Sequence, residues 1–374
     1  VVKQSAAPHS VVIGAGIVGA ACADSLARLG HRVTVIESGP IGGGATAAGM
    51  GHLVVMDDSP AQLALTSRSL ELWAELAPRL PAGAEYRTCG TLWVASDAEE
   101  LNGILPKQAA YRAAGRSAEV LDAAELAHVE PELRGELYGG LRVPGDGVVY
   151  APVAARFLLE RSGAALIRAR VVGLAESGVQ LNTGQLLAAD WVVVAGGAGA
   201  SELLPDLPLR SRQGHLLITE RGGMRVQHQL IELGYLRSAH ASDADSVAFN
   251  VQPRPSGQLL IGSSRQFGRT SQEPDWPLLR RMLARATEYL PGLRRASALR
   301  IWTGQRSATP DHLPIIGPHP ARPGVYLALG HEGLGITAAL GTAELLAADL
   351  GGPASTLSAH DFGLGRFERQ AVHA

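Results

Sequence analysis

The apolar run Val11-Val12-Ile13 is short and flanked by polar residues, which predicts a buried strand. From Ile17 to Leu29 the apolar positions Val18, Ala21, Cys22, Leu26 and Leu29 recur at helical spacing. Gly30 stops that helix, and Arg32 to Glu37 alternates as a second strand, so the chain opens on one βαβ unit. Val1 to Ser10 reads as a disordered lead-in.

A glycine-rich loop, Ser38 to Gly51, leads into a helix over Pro60 to Leu76 that carries Leu63, Leu65, Leu70, Leu72, Trp73 and Leu76. A strand at Cys89 to Ala95 follows, then helices at Asp97 to Ala114 and Asp122 to Val129, the second opening on the capping pattern Asp122-x-x-Glu125. After the turn at Gly145-Asp146-Gly147 the pattern predicts a helix at Pro152 to Arg161. Strands at Leu166 to Leu174, Val179 to Asn182 and Trp191 to Ala195 are placed to return to the first sheet. From Gly214 to Gly262 the pattern changes to short β-rich runs, His215 to Thr219, Ser246 to Gln252 and Leu259 to Gly262, which predict a separate sheet. A helix at Pro277 to Leu290, a passage from Arg300 to Pro318 with no element assigned, a strand at Val325 to Leu329 and a helix from Gly335 to Leu350 complete the chain. There is no internal repeat.

Composition narrows what such a fold can do. Glycine supplies 45 of 374 residues, yet there is no G-X-Y period and 46% of the residues are hydrophobic, so neither collagen nor disorder explains the excess. The glycines mark sharp turns or close approach of backbone to something. With 33 Lys and Arg against 35 Asp and Glu there is no global field to draw in nucleic acid or anionic lipid. Cys22 and Cys89 are too few for a disulfide framework, a structural zinc site or an iron–sulfur cluster, which points to the cytosol and to no metal ligand set. No segment reaches the roughly 20 apolar residues of a transmembrane helix, and Val11 to Ala23 lacks the basic leader of a secretory signal.

The glycines cluster where a dinucleotide would need them. Gly14-x-Gly16-x-x-Gly19 lies between the first strand and the first helix, and Glu37 closes the second strand. Gly14 permits the tight turn, Gly16 lets backbone approach a pyrophosphate, Gly19 lets the helix pack on the sheet, and Glu37 can accept from a ribose; the helix N-terminus, with Ile17 and Val18, presents N–H groups to phosphate. A purely structural turn is the bland alternative. An acidic residue at position 37 disfavours a 2′-phosphate, hence NADP. Three further glycine-rich segments converge on the same job: Ser38 to Gly51, with Gly44, Ala45, Thr46, Gly49 and Met50; Ala195-Gly196-Gly197; and Gly330-His331-Glu332-Gly333-Leu334-Gly335-Ile336-Thr337. So many loops suit a long cofactor contacted at both ends, FAD rather than NAD.

With these motifs, and with Arg306-Ser307-Ala308-Thr309-Pro310-Asp311 between the last two, the whole chain resembles the D-amino-acid oxidase and glycine oxidase family of FAD-dependent amine oxidoreductases. The resemblance implies an α/β (α+β) fold of the glutathione-reductase type. A Rossmann-type FAD-binding domain, residues 1–80, 147–205 and 310–374, would interleave with an antiparallel substrate domain, residues 81–146 and 206–309. It implies non-covalent FAD, since neither cysteine lies where some sarcosine oxidases attach the flavin, and it assigns Val171 to the adenine through its backbone, an ordinary strand residue being the alternative.

The same resemblance gives Arg306 to the substrate carboxylate, a task suited to a planar, always charged fork; a salt bridge to a neighbour such as Asp311 is the structural alternative. Ser307 stands where the family often has Pro. Met50 and His52 would reach the substrate face, a packing Met and a loop-capping His being the alternatives, and Tyr235, Asn250, Gln252 and Ser263 fall in the segment that forms the substrate wall, where nothing in the sequence separates ligand from scaffold. Glu332 would orient His331, contact the amine or act as a cap. The implied reaction is hydride transfer from a small D-amino acid or secondary amine to flavin N5, giving an imine, with no obligatory acid or base. The Gly330 to Gly335 loop is most similar to the FAD subunits of heteromeric dehydrogenases for cis-4-hydroxy-D-proline or opines. These pass electrons to an iron–sulfur or second flavin- or dinucleotide-binding subunit, through which the chain would associate with a membrane. A self-contained oxidase making hydrogen peroxide and a non-catalytic FAD electron-transfer subunit are the alternatives.

Overall fold

The computed structural model describes residues 7–234, 244–269 and 271–367. Its first sheet has six strands in the order Ile315–Pro318, Val325–Leu329, Trp191–Val194, His9–Ile13, Arg32–Ile36, Ala165–Ile167. All neighbours run parallel except Ile315–Pro318, which is antiparallel to Val325–Leu329. Both faces are covered, which is why these strands read as continuous apolar runs. On one side Val12, Val33, Val35, Val193 and Ala328 meet the helices Ile17–Arg28, Pro60–Leu76, Ala151–Ser162 and Gly335–Asp349. On the other, the alternate residues Val11, Ile36, Val192, Val194 and Leu327 meet Val179 and Leu181 of a small antiparallel sheet, Val171–Ala175, Gly178–Leu181 and Leu186–Ala188.

The second sheet has eight strands in the order Ala298–Ala308, Arg210–Thr219, Leu259–Phe267, Ser246–Pro253, Gln229–Glu232, Thr91–Ala95, Gly139–Val143, Glu119–Asp122. It is antiparallel apart from the pairing of Gln229–Glu232 with Thr91–Ala95. The helix Trp276–Tyr289 lays Leu278, Leu279, Met282, Ala286 and Tyr289 on it, and the Tyr289 ring stacks on Phe249 with centroids 4.3 Å apart. The fold is thus α/β with a Rossmann-type parallel sheet and a largely antiparallel second sheet.

Several elements differ from the sequence expectations. His9 and Ser10 belong to the first strand rather than to a lead-in. The segment 97–114 is two helices, Ala98–Asn102 and Ile104–Ala113, with Gly103 between them. Leu166 to Leu174 is two strands, and only Ala165–Ile167 joins the first sheet, because Val171–Ala175 turns away into the three-stranded layer. The passage from Arg300 contains an eleven-residue strand, Ala298–Ala308, which forms one edge of the second sheet. Among the described residues no helix is long and apolar enough to cross a membrane, and no three His, Cys, Asp or Glu residues group to hold a metal.

Candidate active site

The loop after the first strand is built by close packing of backbone. Gly14 has φ +104°, and a Cβ there would sit 2.6 Å from Ala195 O; a Cβ on Gly19 would sit 2.0 Å from Gly14 O. The ends of two strands and the first helix therefore meet at distances only glycine permits. Gly16 begins the helix without a side-chain cap, and Thr46 Oγ1 accepts from Ile17 N at 3.0 Å. The Glu37 carboxylate accepts from Ala15 N at 2.7 Å and from Gly39 N at 2.6 Å, so it is fixed beside the loop.

These groups open onto a cavity of about 590 Å³. Of the residues assigned from sequence, Gly14, Gly16, Ile17, Val18, Glu37, Gly44, Ala45, Thr46, Gly49, Met50, His52, Ala195, Gly196, Gly197, Arg306, Gly330, His331, Glu332, Gly333, Gly335 and Ile336 border it. Five do not. Gly19 serves the helix–strand contact, Ser38 is exposed, and Leu334 precedes the last helix and packs on the core. Thr337 is buried, accepting from Val54 N and donating to the His52 carbonyl. Val171 pairs with Leu181, and its side chain packs against the apolar layer beneath the small sheet.

On the substrate side, the strand Ala298–Ala308 carries Arg306 to the cavity wall, where its guanidinium crosses Gly214 of the neighbouring strand. A Cβ on Gly214 would lie 2.6 Å from Arg306 Nη2 and 3.0 Å from Cζ. Asp311, the salt-bridge partner weighed for Arg306, is bound in bidentate fashion by Arg366, at 2.7 and 3.1 Å. Asn250 and Ser263 border the cavity; their Oδ1 and Oγ are buried without a hydrogen-bond partner. Gln252 does not border it, and Tyr235 lies outside the described residues. Met50 Sδ lies close to Gly262, 3.2 Å from where a Cβ would stand.

Charge is distributed unevenly around this wall. His52 is held neutral, its pKa lowered to about 4 by burial and secondarily by the Arg306 guanidinium. His331, bonded through Nε2 to Thr342 Oγ1 at 2.9 Å, is lowered to about 4 by burial alone. Glu332 does not orient His331. Its carboxylate is bonded by Arg212 and lies 3.1 Å from His312 Nδ1. Burial alone would raise its pKa, but the His312 hydrogen bond and the Arg212 and Arg265 cations hold it at about 2. Glu332 also has φ +49°, and its amide donates to Ser307 O at 2.9 Å, while His331 bridges to Ala308. The glycine loop thereby adds onto the edge strand of the second sheet.

Sequence reasoning missed Gly214, Leu216, Gln272 and Thr303 to Gln305, all at the cavity, and Arg212 behind it. An isolated glycine inside a strand pattern is a signal of close approach, and Gly214 and Gly304 are register partners; a Cβ on Gly304 would lie 2.5 Å from Ala48 Cβ.

The residues present fit FAD. Backbone cradles that a Cβ would fill line the cavity, and two helices, Ile17–Arg28 and Gly335–Asp349, begin at it with no side-chain cap from their own N-cap residues, Gly16 and Leu334. Glu37 stands where the ribose is expected. Comparison with known proteins agrees. The glycine oxidase of Geobacillus kaustophilus (strain HTA426) is 31% identical over 354 residues, spanning 91% of each chain. A D-amino acid dehydrogenase of Methylobacterium nodulans is 27% identical over 433 aligned positions, spanning 96% of this chain and 99% of the relative. The crystal structure of glycine oxidase from Geobacillus kaustophilus superposes with a TM-score of 0.85 at 27% identity, covering 96% of this chain and 99% of that one; L-proline dehydrogenase from P. horikoshii shares the fold, with a TM-score of 0.85 at 24% identity, covering 97% and 98%. The model of the DAO family, FAD dependent oxidoreductase, matches residues 9–349, so that the glycine cradles, the carboxylate at Glu37 and the two helix N-termini are those of a chain that belongs to this family of enzymes oxidising amino acids or amines.

Proposed function

We propose that this enzyme oxidises a small D-amino acid or secondary amine to the imine, with cis-4-hydroxy-D-proline the favoured substrate, and passes the electrons to a partner subunit or respiratory acceptor. The observation that carries the reading is the Arg306 guanidinium laid across Gly214 at the wall of the cavity. A planar cation there matches a carboxylate. In this reading residues 1–80, 147–205 and 310–374 hold non-covalent FAD and residues 81–146 and 206–309 form the substrate half, a division supported by the way the strands of the two large sheets separate along it. FAD, when bound, supplies the two-electron acceptor.

The chain's own residues bind, orient and set charge. Arg306 fixes the carboxylate and so the rotation of the α-carbon. The Arg306 cation and the neutral His52 ring beside it disfavour an ammonium, so the amine is held as the free base that oxidation requires. Asn250 Oδ1 and Ser263 Oγ, buried and unpartnered, suit a substrate that brings a hydroxyl donor, which favours a hydroxylated ring over glycine.

A second reading, a self-contained oxidase that makes hydrogen peroxide, is favoured by the full-length similarity to glycine oxidase. Anaerobic flavin bleaching against D-amino acids, hydroxyproline isomers, sarcosine and opines tests the substrate. Aerobic peroxide formation against dye reduction by the purified chain tests the acceptor: dye reduction with negligible peroxide supports the partner-dependent reading, and stoichiometric peroxide overturns it. A non-catalytic FAD subunit would show no substrate-dependent bleaching at all.

A further inference from the structure

Arg212 and Arg306 are direct register partners on neighbouring antiparallel strands, so their side chains leave the same face of the sheet. Like charges placed opposite each other repel, and a carboxylate paired with one of them relieves the repulsion. Here Glu332, delivered from a separate element, pairs with Arg212. Its amide is tied to Ser307 O and its neighbour His331 is bridged to Ala308, so the loop reaches the arginine pair from the cavity side. Glu332 borders the cavity, and Arg212, which it binds, does not. The acid therefore stands between the open space and one of two guanidinium groups. Its backbone is in the left-handed region, unfavourable for a residue with a side chain, so this placement is imposed by the surroundings.

We propose that Glu332 is a specificity-determining residue: its carboxylate takes the place that a second substrate carboxylate would take on Arg212, and it restricts the site to substrates carrying one carboxylate. The proposal rests on the reading that Arg306 holds the substrate carboxylate. In the native chain a dicarboxylate amine meets the Glu332 charge. Without that charge, Arg212 becomes the second half of a two-carboxylate clamp.

The test uses holoenzyme and two matched pairs of probes. Acetate and malonate report binding by titration calorimetry, and sarcosine and iminodiacetate, which share a secondary amine and differ by one carboxylate, report turnover. Glu332→Gly removes the side chain and suits the left-handed backbone; Glu332→Gln keeps the bulk and removes the charge. The wild-type chain binds acetate at least as tightly as malonate. In Glu332→Gly the malonate-to-acetate preference rises on the order of tenfold or more, the worth of one charge-assisted hydrogen bond, and the iminodiacetate-to-sarcosine ratio of kcat/KM rises with it. Glu332→Gln shows a smaller rise in the same direction, and Glu332→Asp keeps the wild-type order. Adding Arg212→Gln to Glu332→Gly cancels the gain, a result that a merely structural role for Glu332 would not produce. Unchanged preference in both the Gly and the Gln variants, or a gain that survives Arg212→Gln, overturns the proposal. Failure of the underlying reading shows separately: acetate binding by the wild-type chain would then be indifferent to Arg306→Ala.

Discussion

Replacing Gly214 by alanine adds one methyl group and tests whether Arg306 works through its position. The new Cβ would lie 2.6 Å from Arg306 Nη2, 3.0 Å from Cζ and 3.1 Å from the Ser264 carbonyl oxygen. Ordinary contact with a carbon requires about 3.5 Å or more, so the guanidinium must retreat by roughly 1 Å. The Ser264 carbonyl is backbone and yields less. The glycine has no left-handed φ, so alanine suits its backbone and the overpacking costs at most about 1–3 kcal/mol of stability. A retreat of that size turns a hydrogen bond of about 2.8 Å to a bound carboxylate into a separation at which it is lost. A hydrogen bond to a charged group is worth about 1.5–3 kcal/mol, which corresponds to roughly 10- to 100-fold in affinity. The assay is acetate affinity and substrate KM for Gly214→Ala beside Gly135→Ala, whose added methyl meets nothing within 4 Å. Thermal unfolding confirms that both variants fold. Weakened carboxylate binding confined to Gly214→Ala is expected; a folded Gly214→Ala with unchanged acetate affinity refutes the placement of Arg306 as the carboxylate clamp.

Other consequences are as direct. Gly19→Ala would bring Cβ within 2.0 Å of Gly14 O, backbone against backbone, so the first helix must leave the sheet; scanning calorimetry should show a loss of stability of about 3 kcal/mol or more together with lost FAD affinity. Glu37→Ala leaves the Ala15 and Gly39 amides without their acceptor, at about 1–3 kcal/mol each if they stay buried, and should weaken FAD binding at least tenfold in a flavin-fluorescence titration. Stability should fall on acidification in two stages. His52 and His331, lowered to about 4 in the folded chain, stay neutral while the unfolded chain binds protons, so stability drops as pH falls from about 6.5 towards 4; Glu332, held at about 2, adds a second loss from about 4.5 downward. Urea midpoints across pH check this, and His331→Asn should flatten the first stage.

What could be read from sequence was what the chain encodes locally. The βαβ unit announces itself because a both-faces-buried strand, a helical repeat and a glycine stop follow one another within 30 residues. The capping box at Asp122 and Glu125 forms as its spacing predicts, with both reciprocal hydrogen bonds present. The strand Ala298–Ala308 escaped notice because, on a sheet edge, its residues are half-buried on both faces and show no alternation. Gly103 interrupts an otherwise helical pattern, and only the packing of the two pieces shows that the chain uses the break. The partners of Glu332 had no local signal. His331 is its neighbour in sequence, but Arg212 comes from a strand 120 residues earlier, and only the second sheet brings it there. Val171 is assigned through its backbone, and what the structure adds is where its side chain goes, against the apolar layer under the small sheet. The glycine clusters are intermediate: their number hinted at close backbone approach, and the distances at Gly14, Gly19 and Gly214 say what is approached.

In the proposed reaction Arg306 clamps the carboxylate of a small amine whose oxidation reduces the bound flavin. The most direct measurement is anaerobic bleaching of the flavin absorbance by the best substrate of the panel, in the wild-type chain and in Arg306→Ala, followed over substrate concentration. Rapid, saturable bleaching is expected in the wild type, and in Arg306→Ala a half-saturating concentration raised by roughly 10- to 100-fold, the loss of a charged hydrogen-bonding partner, with FAD still bound. Bleaching by the same substrate at the same concentrations in both proteins would contradict it.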